Sequence, residues 1–218
     1  MIPNLIVPVL NRYDLLRRMI QSIDHPVQHL LIIDNGGEFH DIIHTEFVEN
    51  IQILNLPSNL GVAGSWNLGI KLYPHHDRWT ITSNDVKFHP GNLARIAEAR
   101  SDRLTLMERA PHWHTFVIGD QVVEKVGLAS ERFYPAYFED NDWQRRIEHA
   151  GLPIEKMDVP IDHDNSSTLH SNPAFGERNS QTYIMNMNFY QRKREAEDYT
   201  ESPWALGTRR WNEWLRDR

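Results

Sequence analysis

The chain has 218 residues, of which 40% are apolar and 24% charged, a balance that supports one globular domain, or one domain with an appendage. A net charge of −7 disfavours a non-specific nucleic-acid binder, and the absence of cysteine excludes disulfides, thiolate metal sites and cysteine nucleophiles. No apolar run approaches the ~18 residues of a membrane span, and no basic region precedes the short apolar N-terminus, so a soluble, cytoplasmic protein is expected.

The first half alternates strand and helix signals. Leu5 to Leu10 (LIVPVL) reads as a strand ended by Asn11, which can cap a helix over Tyr13–Ile23, where Leu15, Leu16, Met19, Ile20 and Ile23 recur at helical spacing. Leu30–Ile33 is a second buried strand, stopped by the turn signature DNGG, and Ile51–Leu54 a third. NLGVAGS then leads into a helix from about Trp66 to Leu72. Trp79–Thr82 is a fourth strand, running out into Ser83-Asn84-Asp85, and a helix over about Asn92–Ala99 follows the His89-Pro90-Gly91 turn. Short apolar strands alternating with helices predict parallel pairing in a sheet covered on both faces.

The second half is more mixed. Residues 104–107 and 115–118 read as strands, with a turn around Gly127. A helix over Glu139–Ala150 opens with three carboxylates, Glu139, Asp140 and Asp142, and stops at Gly151. Residues 159–167 read as extended or irregular, and a helix runs from about Ser180 to Ala196. The last 41 residues carry a local charge of +2, against −9 for the first 177, and hold Trp204, Trp211 and Trp214.

In an open parallel sheet, ligands bind beyond the carboxyl ends of the strands. Those ends here are Asn11, Asp34-Asn35-Gly36, the loop after Leu54 and Ser83-Asn84-Asp85, all polar or glycine-containing, which points to a nucleotide site. Asp34 either closes its own turn or accepts hydrogen bonds from a base or ribose. Gly61 and Gly64 precede a helix whose N–H groups could meet phosphate, although neither dinucleotide nor Walker-type spacing is present. Asp85 either caps a turn or binds Mg²⁺ or Mn²⁺. Among the 12 histidines no pair has strong metal spacing. The acidic cluster suits a helix start, where carboxylates face the positive end of the helix dipole, and equally suits proton transfer.

Read in order, VPVLNRYDLLRRMIQSI, IIDNGG, NLGVAGSWNLGI, SNDV, AYFEDNDWQRRIEHAGL and HDNSST resemble the motifs of family 2 glycosyltransferases with the GT-A fold, in particular rhamnosyltransferase-like members. The resemblance covers roughly residues 3–170. It implies a Rossmann-like, mostly parallel α/β sheet flanked by helices, forming a catalytic domain over 1–175. That domain divides into a nucleotide-binding half (about 1–90) and an acceptor half (about 91–175), followed by a helical C-terminal extension, 176–218.

Carried onto this chain, the resemblance implies that Val7 to Asn11, with Pro8 and Asn11, together with Asp34, hold base and ribose. Gly61, Val62, Ala63 and Asn67 would lie along the nucleotide sugar, with Asn35, Asn84 and Asp142 as further substrate contacts. Asp85 and His163 would bind the divalent metal, Mn²⁺ or Mg²⁺, with His170 a weaker candidate. Asp140 would be the general base and Glu139 its orienting neighbour. Ser83 stands where the first D-x-D carboxylate is expected, leaving Asp85 as the acid there.

The implied activity is inverting transfer of a sugar from a nucleotide-diphosphate sugar to an acceptor hydroxyl on a glycan, a protein or a modified nucleic acid. A catalytically degenerate nucleotide-sugar-binding module is the alternative, and a nucleotidyltransferase a third reading. The extension would be a packing helix, a homo-oligomer contact or an acceptor contact.

Overall fold

The computed structural model describes residues 1–107, 112–164 and 173–201. The chain runs β1 (Ile2–Val9), α1 (Tyr13–Gln21), β2 (Val27–Asp34), β3 (Val48–Asn55), α2 (Gly61–Leu72) and β4 (Arg78–Thr82). Then come β5 (Val86–Phe88), α3 (Asn92–Ile96), β6 (Leu104–Met107), a 3₁₀ turn (His112–His114), β7 (Thr115–Gly119) and α4 (Asp120–Val126). It closes with α5 (Glu139–His149), β8 (Ile154–Met157), β9 (Ile161–His163) and α6 (Pro173–Glu195).

Seven strands form one sheet in the order β3-β2-β1-β4-β7-β6-β8, and β5 and β9 form a separate antiparallel pair. Side chains on a strand alternate between faces. Leu5, Val7, Leu30 and Ile32 therefore enter one core with Leu16, Met19 and Ile20 of α1. Ile6, Leu31 and Ile33 enter the other with Trp66 and Ile70 of α2 and Trp143 of α5. Burial on both faces is why β1 and β2 read as unbroken apolar runs rather than alternating ones.

The expected parallel pairing holds for β1 with β2 and β4, for β2 with β3, and for β6 with β8. It fails at β7, which runs antiparallel to both β4 and β6. The connection 108–114 is too short for a helical crossover, which a parallel neighbour would require.

Other corrections are local. Asn11 does not cap α1: the N-cap position is Arg12, in the left-handed region at φ 56, without a side-chain cap. The Arg12 guanidinium instead reaches forward to Asp14 in the first turn, at 2.8 and 2.9 Å. The short helix α4 fills the stretch before Gly127, where only a turn was expected, and buries Val122 and Val123. The C-terminal helix starts at Pro173 rather than near Ser180.

Candidate functional site

The carboxyl ends of β1, β2 and β4 lie side by side, with the start of the reversed β7 at the same edge. Asn84, just past β4, donates from its side-chain amide to the carbonyl oxygens of Asn11 (3.2 Å) and Arg12 (3.4 Å), so the ends of β1 and β4 are tied. Pro8 lies within β1, in register with Ile33 of β2.

Asp34 is fully buried and accepts from the Tyr13 hydroxyl at 2.9 Å and from the backbone N–H groups of Gly36 (3.0 Å) and Phe39 (2.8 Å). Of its two readings, turn closure is the one its bonds support. Burial and the Asp34 carboxylate together push the Tyr13 hydroxyl up to about 12. Asn35 accepts from the Leu60 N–H (2.8 Å) and donates to the Ser65 hydroxyl (2.9 Å), pinning the start of α2 to the end of β2.

That start of α2 is not an open anion site. The Gly61 N–H bonds the Asn59 side chain at 2.7 Å, and the Val62 N–H bonds the Pro135 carbonyl at 2.8 Å. Gly61 sits at φ +75, and a Cβ there would meet the Pro135 carbonyl oxygen at 2.7 Å, so the close approach of the 134–136 segment requires glycine. Ala63 is a core residue. Asn67, a turn further on, is buried and clamps Ala129 through both its amide nitrogen (2.8 Å) and its oxygen (3.1 Å).

Asp85 and His163 are 78 positions apart in the chain, yet the pairing of β5 with β9 sets Val86 opposite His163. The His163 Nε2 then lies 3.1 Å from the Asp85 Oδ1, both side chains largely buried. The His163 Nδ1 is buried with no hydrogen-bond partner among the described residues. The His114 ring sits 5.1 Å from that of His163 and bonds the Thr115 hydroxyl at 3.1 Å. One carboxylate oxygen and one imidazole nitrogen are a donor pair that can contribute to a Mn²⁺ site, the carboxylate oxygen alone suiting Mg²⁺. Among the described residues no group of three or more His, Asp or Glu is placed to hold an ion by itself. His170 lies outside the described residues.

The acidic helix start is built on strained backbone. Tyr137 and Phe138 have φ +77 and +73, a conformation bulky residues rarely adopt and one that costs on the order of 1–3 kcal/mol each. From there α5 begins without a side-chain cap. Glu139 is only 5% exposed, and its Oε2 has no hydrogen-bond partner among the described residues. Burial, and then the neighbouring Asp140 charge, push Glu139 well above the usual carboxylate range. Asp140 is half-buried, and its Oδ1 accepts the Asn141 N–H at 2.7 Å. Burial raises Asp140 as well.

Asp142, expected as a substrate contact, is fully buried between the Arg146 Nε (2.9 Å) and the Lys193 Nζ (2.9 Å). It is a structural ion-pair residue, because two cations already occupy its oxygens. Trp143 stacks near Trp66 (6.2 Å) and Trp113 (6.3 Å), which fixes α5 against α2.

Several of these partners were not marked in the sequence. Arg146 stands four residues after Asp142, a helical ion-pair spacing that can be read directly. Tyr13 and Lys193 carry no local signal, since each acts on a residue distant in sequence.

No known protein-family profile matches the chain, and no curated protein matches it. Solved structures do. A Drosophila β1,4-galactosyltransferase 7 mutant, in a complex with manganese, UDP-Gal and xylobiose, superposes at a TM-score of 0.55 with 13% identity, over 78% of this chain and 73% of that one. The catalytic domain of the same galactosyltransferase with xylobiose gives 0.51 at 14% identity, over 76% and 71%. S. aureus TarS gives 0.52 at 12% identity, over 72% of this chain and 35% of that one. The fold is that of a GT-A glycosyltransferase.

Proposed function

We propose that this GT-A-like chain is an inverting glycosyltransferase, moving a sugar from a nucleotide-diphosphate sugar to an acceptor hydroxyl. The observation that carries the reading is the Asp85–His163 pair. The two residues that the resemblance assigns to the metal, Asp85 just past β4 and His163 at the end of β9, lie 3.1 Å apart beyond the carboxyl end of β4, and ligands of open sheets bind beyond such ends. The structural neighbour whose complex contains manganese and UDP-Gal supports the same class.

Asp85 and His163 would hold the divalent cation together with the donor diphosphate. When bound, that cation supplies charge neutralisation for the departing nucleoside diphosphate. The carboxyl ends of β1 and β2, with Asn11 and Asn35, would flank the nucleoside. Gly61 and Val62, sealed against Pro135, would form the wall beside the donor sugar.

Asp140 is the base. Its Oδ1 is engaged by the Asn141 amide, so its Oδ2 takes the proton as the acceptor oxygen attacks the anomeric carbon and the bond to the diphosphate breaks. Burial raises Asp140 toward the pH at which a base works best. Burial pushes Glu139 further up, which favours its neutral form and lessens the negative charge beside Asp140.

The test is release of nucleoside diphosphate from a panel of UDP-, GDP- and dTDP-sugars with Mn²⁺ and candidate acceptors. Turnover should vanish with a chelator and fall at least about 10²-fold in Asp140→Asn. Turnover indifferent to both would refute the mechanism. Nucleotide binding without any turnover would favour a degenerate binding module.

A further inference from the structure

The C-terminal helix α6 lies beyond the part of the chain that resembles transferase motifs, yet it packs on the segment leading to Asp140. Asn186 is 5% exposed. Its side-chain amide nitrogen donates to the carbonyl oxygens of Ala136 (2.8 Å) and Tyr134 (3.3 Å). Both partners are acceptors, so the amide can face them only with its nitrogen. Between those two carbonyls, the Pro135 carbonyl points the other way and takes the Val62 N–H at 2.8 Å. The segment is thus held from both sides, by α6 on one and by the first turn of α2 on the other.

Immediately after it come the left-handed Tyr137 and Phe138. The Tyr183 ring, on the same helix as Asn186, meets Tyr137 edge-on at 5.3 Å and Phe138 at 5.1 Å. The Tyr190 ring stacks on Phe138 at 5.6 Å. A strained conformation persists only where its surroundings over-determine it. Here α6 supplies much of that constraint.

We propose that Asn186 is a positioning residue for glycosyl transfer: by holding the 134–136 carbonyls it sets the Asp140 base and the donor-side wall at Gly61–Val62 in one arrangement. The inference rests on the reading of Asp140 as the base. The Asn186 amide nitrogen is engaged by the Tyr134 and Ala136 carbonyls, so its part in transfer is indirect. It acts through the backbone, and displacement of a base by about 1 Å is enough to lower a rate about 10²-fold. Tyr183 supports the same arrangement through the two aromatic residues.

The experiment compares Asn186→Ala and Asn186→Asp with wild type. Asp keeps the side-chain size and, assayed at a pH where it is ionised, places a carboxylate against two carbonyls, so it removes the donation without removing the volume. Both variants should lower kcat by about 10- to 100-fold while the Kd for the nucleoside diphosphate and the acceptor KM stay within about twofold. An unchanged kcat in Asn186→Asp would overturn the proposal, as would loss of nucleotide binding in step with kcat, which would make the residue a general scaffold.

Tyr183→Ala serves if either variant fails to fold, because that ring is 41% exposed and its loss leaves no closed cavity. It should lower kcat by several-fold with the acceptor KM unchanged, and an unchanged kcat would again overturn the proposal. Hydrogen–deuterium exchange separates this inference from the function it rests on. Amides of 136–141 should exchange faster in Asn186→Ala while those of β1, β2 and β4 do not. That pattern in a wild-type protein without turnover would defeat the transferase reading and keep the clamp, whereas equal exchange would defeat the clamp itself.

Discussion

Replacing Glu139 by glutamine tests the electrostatics of the acidic helix start without touching the proposed base. Glutamine keeps the size and a polar end but cannot ionise. In the folded chain Glu139 is pushed above its ordinary value of 4.5, mainly by burial and then by Asp140. Between that value and the folded one, the native state binds a proton that the unfolded state has released. Stability therefore falls as pH rises through this window, with a slope of about 1.4 kcal/mol per pH unit, and the contribution is fully present only below the unfolded value. Asp140 and all other groups titrate in both proteins, so the difference between wild type and Glu139→Gln reports the Glu139 carboxyl together with its coupling to Asp140.

The two should be nearly equal near pH 4.5 and diverge above it, with the variant the more stable. Each pH unit inside the window widens the gap by about 1.4 kcal/mol. For a chain of this size that is about 3–6 °C in midpoint temperature per unit. Thermal melts of both proteins from pH 5 to 8 measure it. Parallel curves, or a variant less stable than wild type throughout, would refute the reasoning, because Glu139 would then be ionised and paired in the native state.

Lys193→Met should destabilise the fold by about 3 kcal/mol, read by denaturant midpoint, because it leaves the buried Asp142 with Arg146 as its remaining cation. Gly61→Ala should cost more than about 1 kcal/mol, since it combines a left-handed backbone with a Cβ driven into the Pro135 carbonyl; a neutral result in the same assay would count against the sealed α2 start. His163→Gln should lower Mn²⁺-dependent nucleotide affinity about tenfold or more with little change in metal-free affinity, measured by calorimetry, and equal affinities would remove His163 from the metal set.

The first half of the chain was legible because its signals are local. Buried parallel strands print themselves as apolar runs, and Asn and Gly mark their ends, so Asp34, Asn84 and Asp85 could be placed at one edge from the sequence alone. His163 came from resemblance, and the β5–β9 pair that carries it to Asp85 left no distinct trace in its three-residue strands. Asp142 looked like one more carboxylate of an acidic cluster. Its spacing to Arg146 was visible, but its burial under Lys193 depended on a helix 51 positions away. Asn186 is the extreme case, a polar residue on a helix of weak amphipathicity whose partners are carbonyl oxygens, which any sequence supplies. Local pattern reports what a residue can do, and long-range packing decides which of those things it does.

The central claim is that this sheet edge takes a nucleoside diphosphate with the help of a cation. Calorimetric titration with UDP, GDP and dTDP, with and without Mn²⁺, tests it most directly. At least one nucleotide should bind in the presence of Mn²⁺ and lose about tenfold or more in affinity with a chelator or in Asp85→Asn. A folded protein that binds none of the three, with or without the cation, would contradict the account.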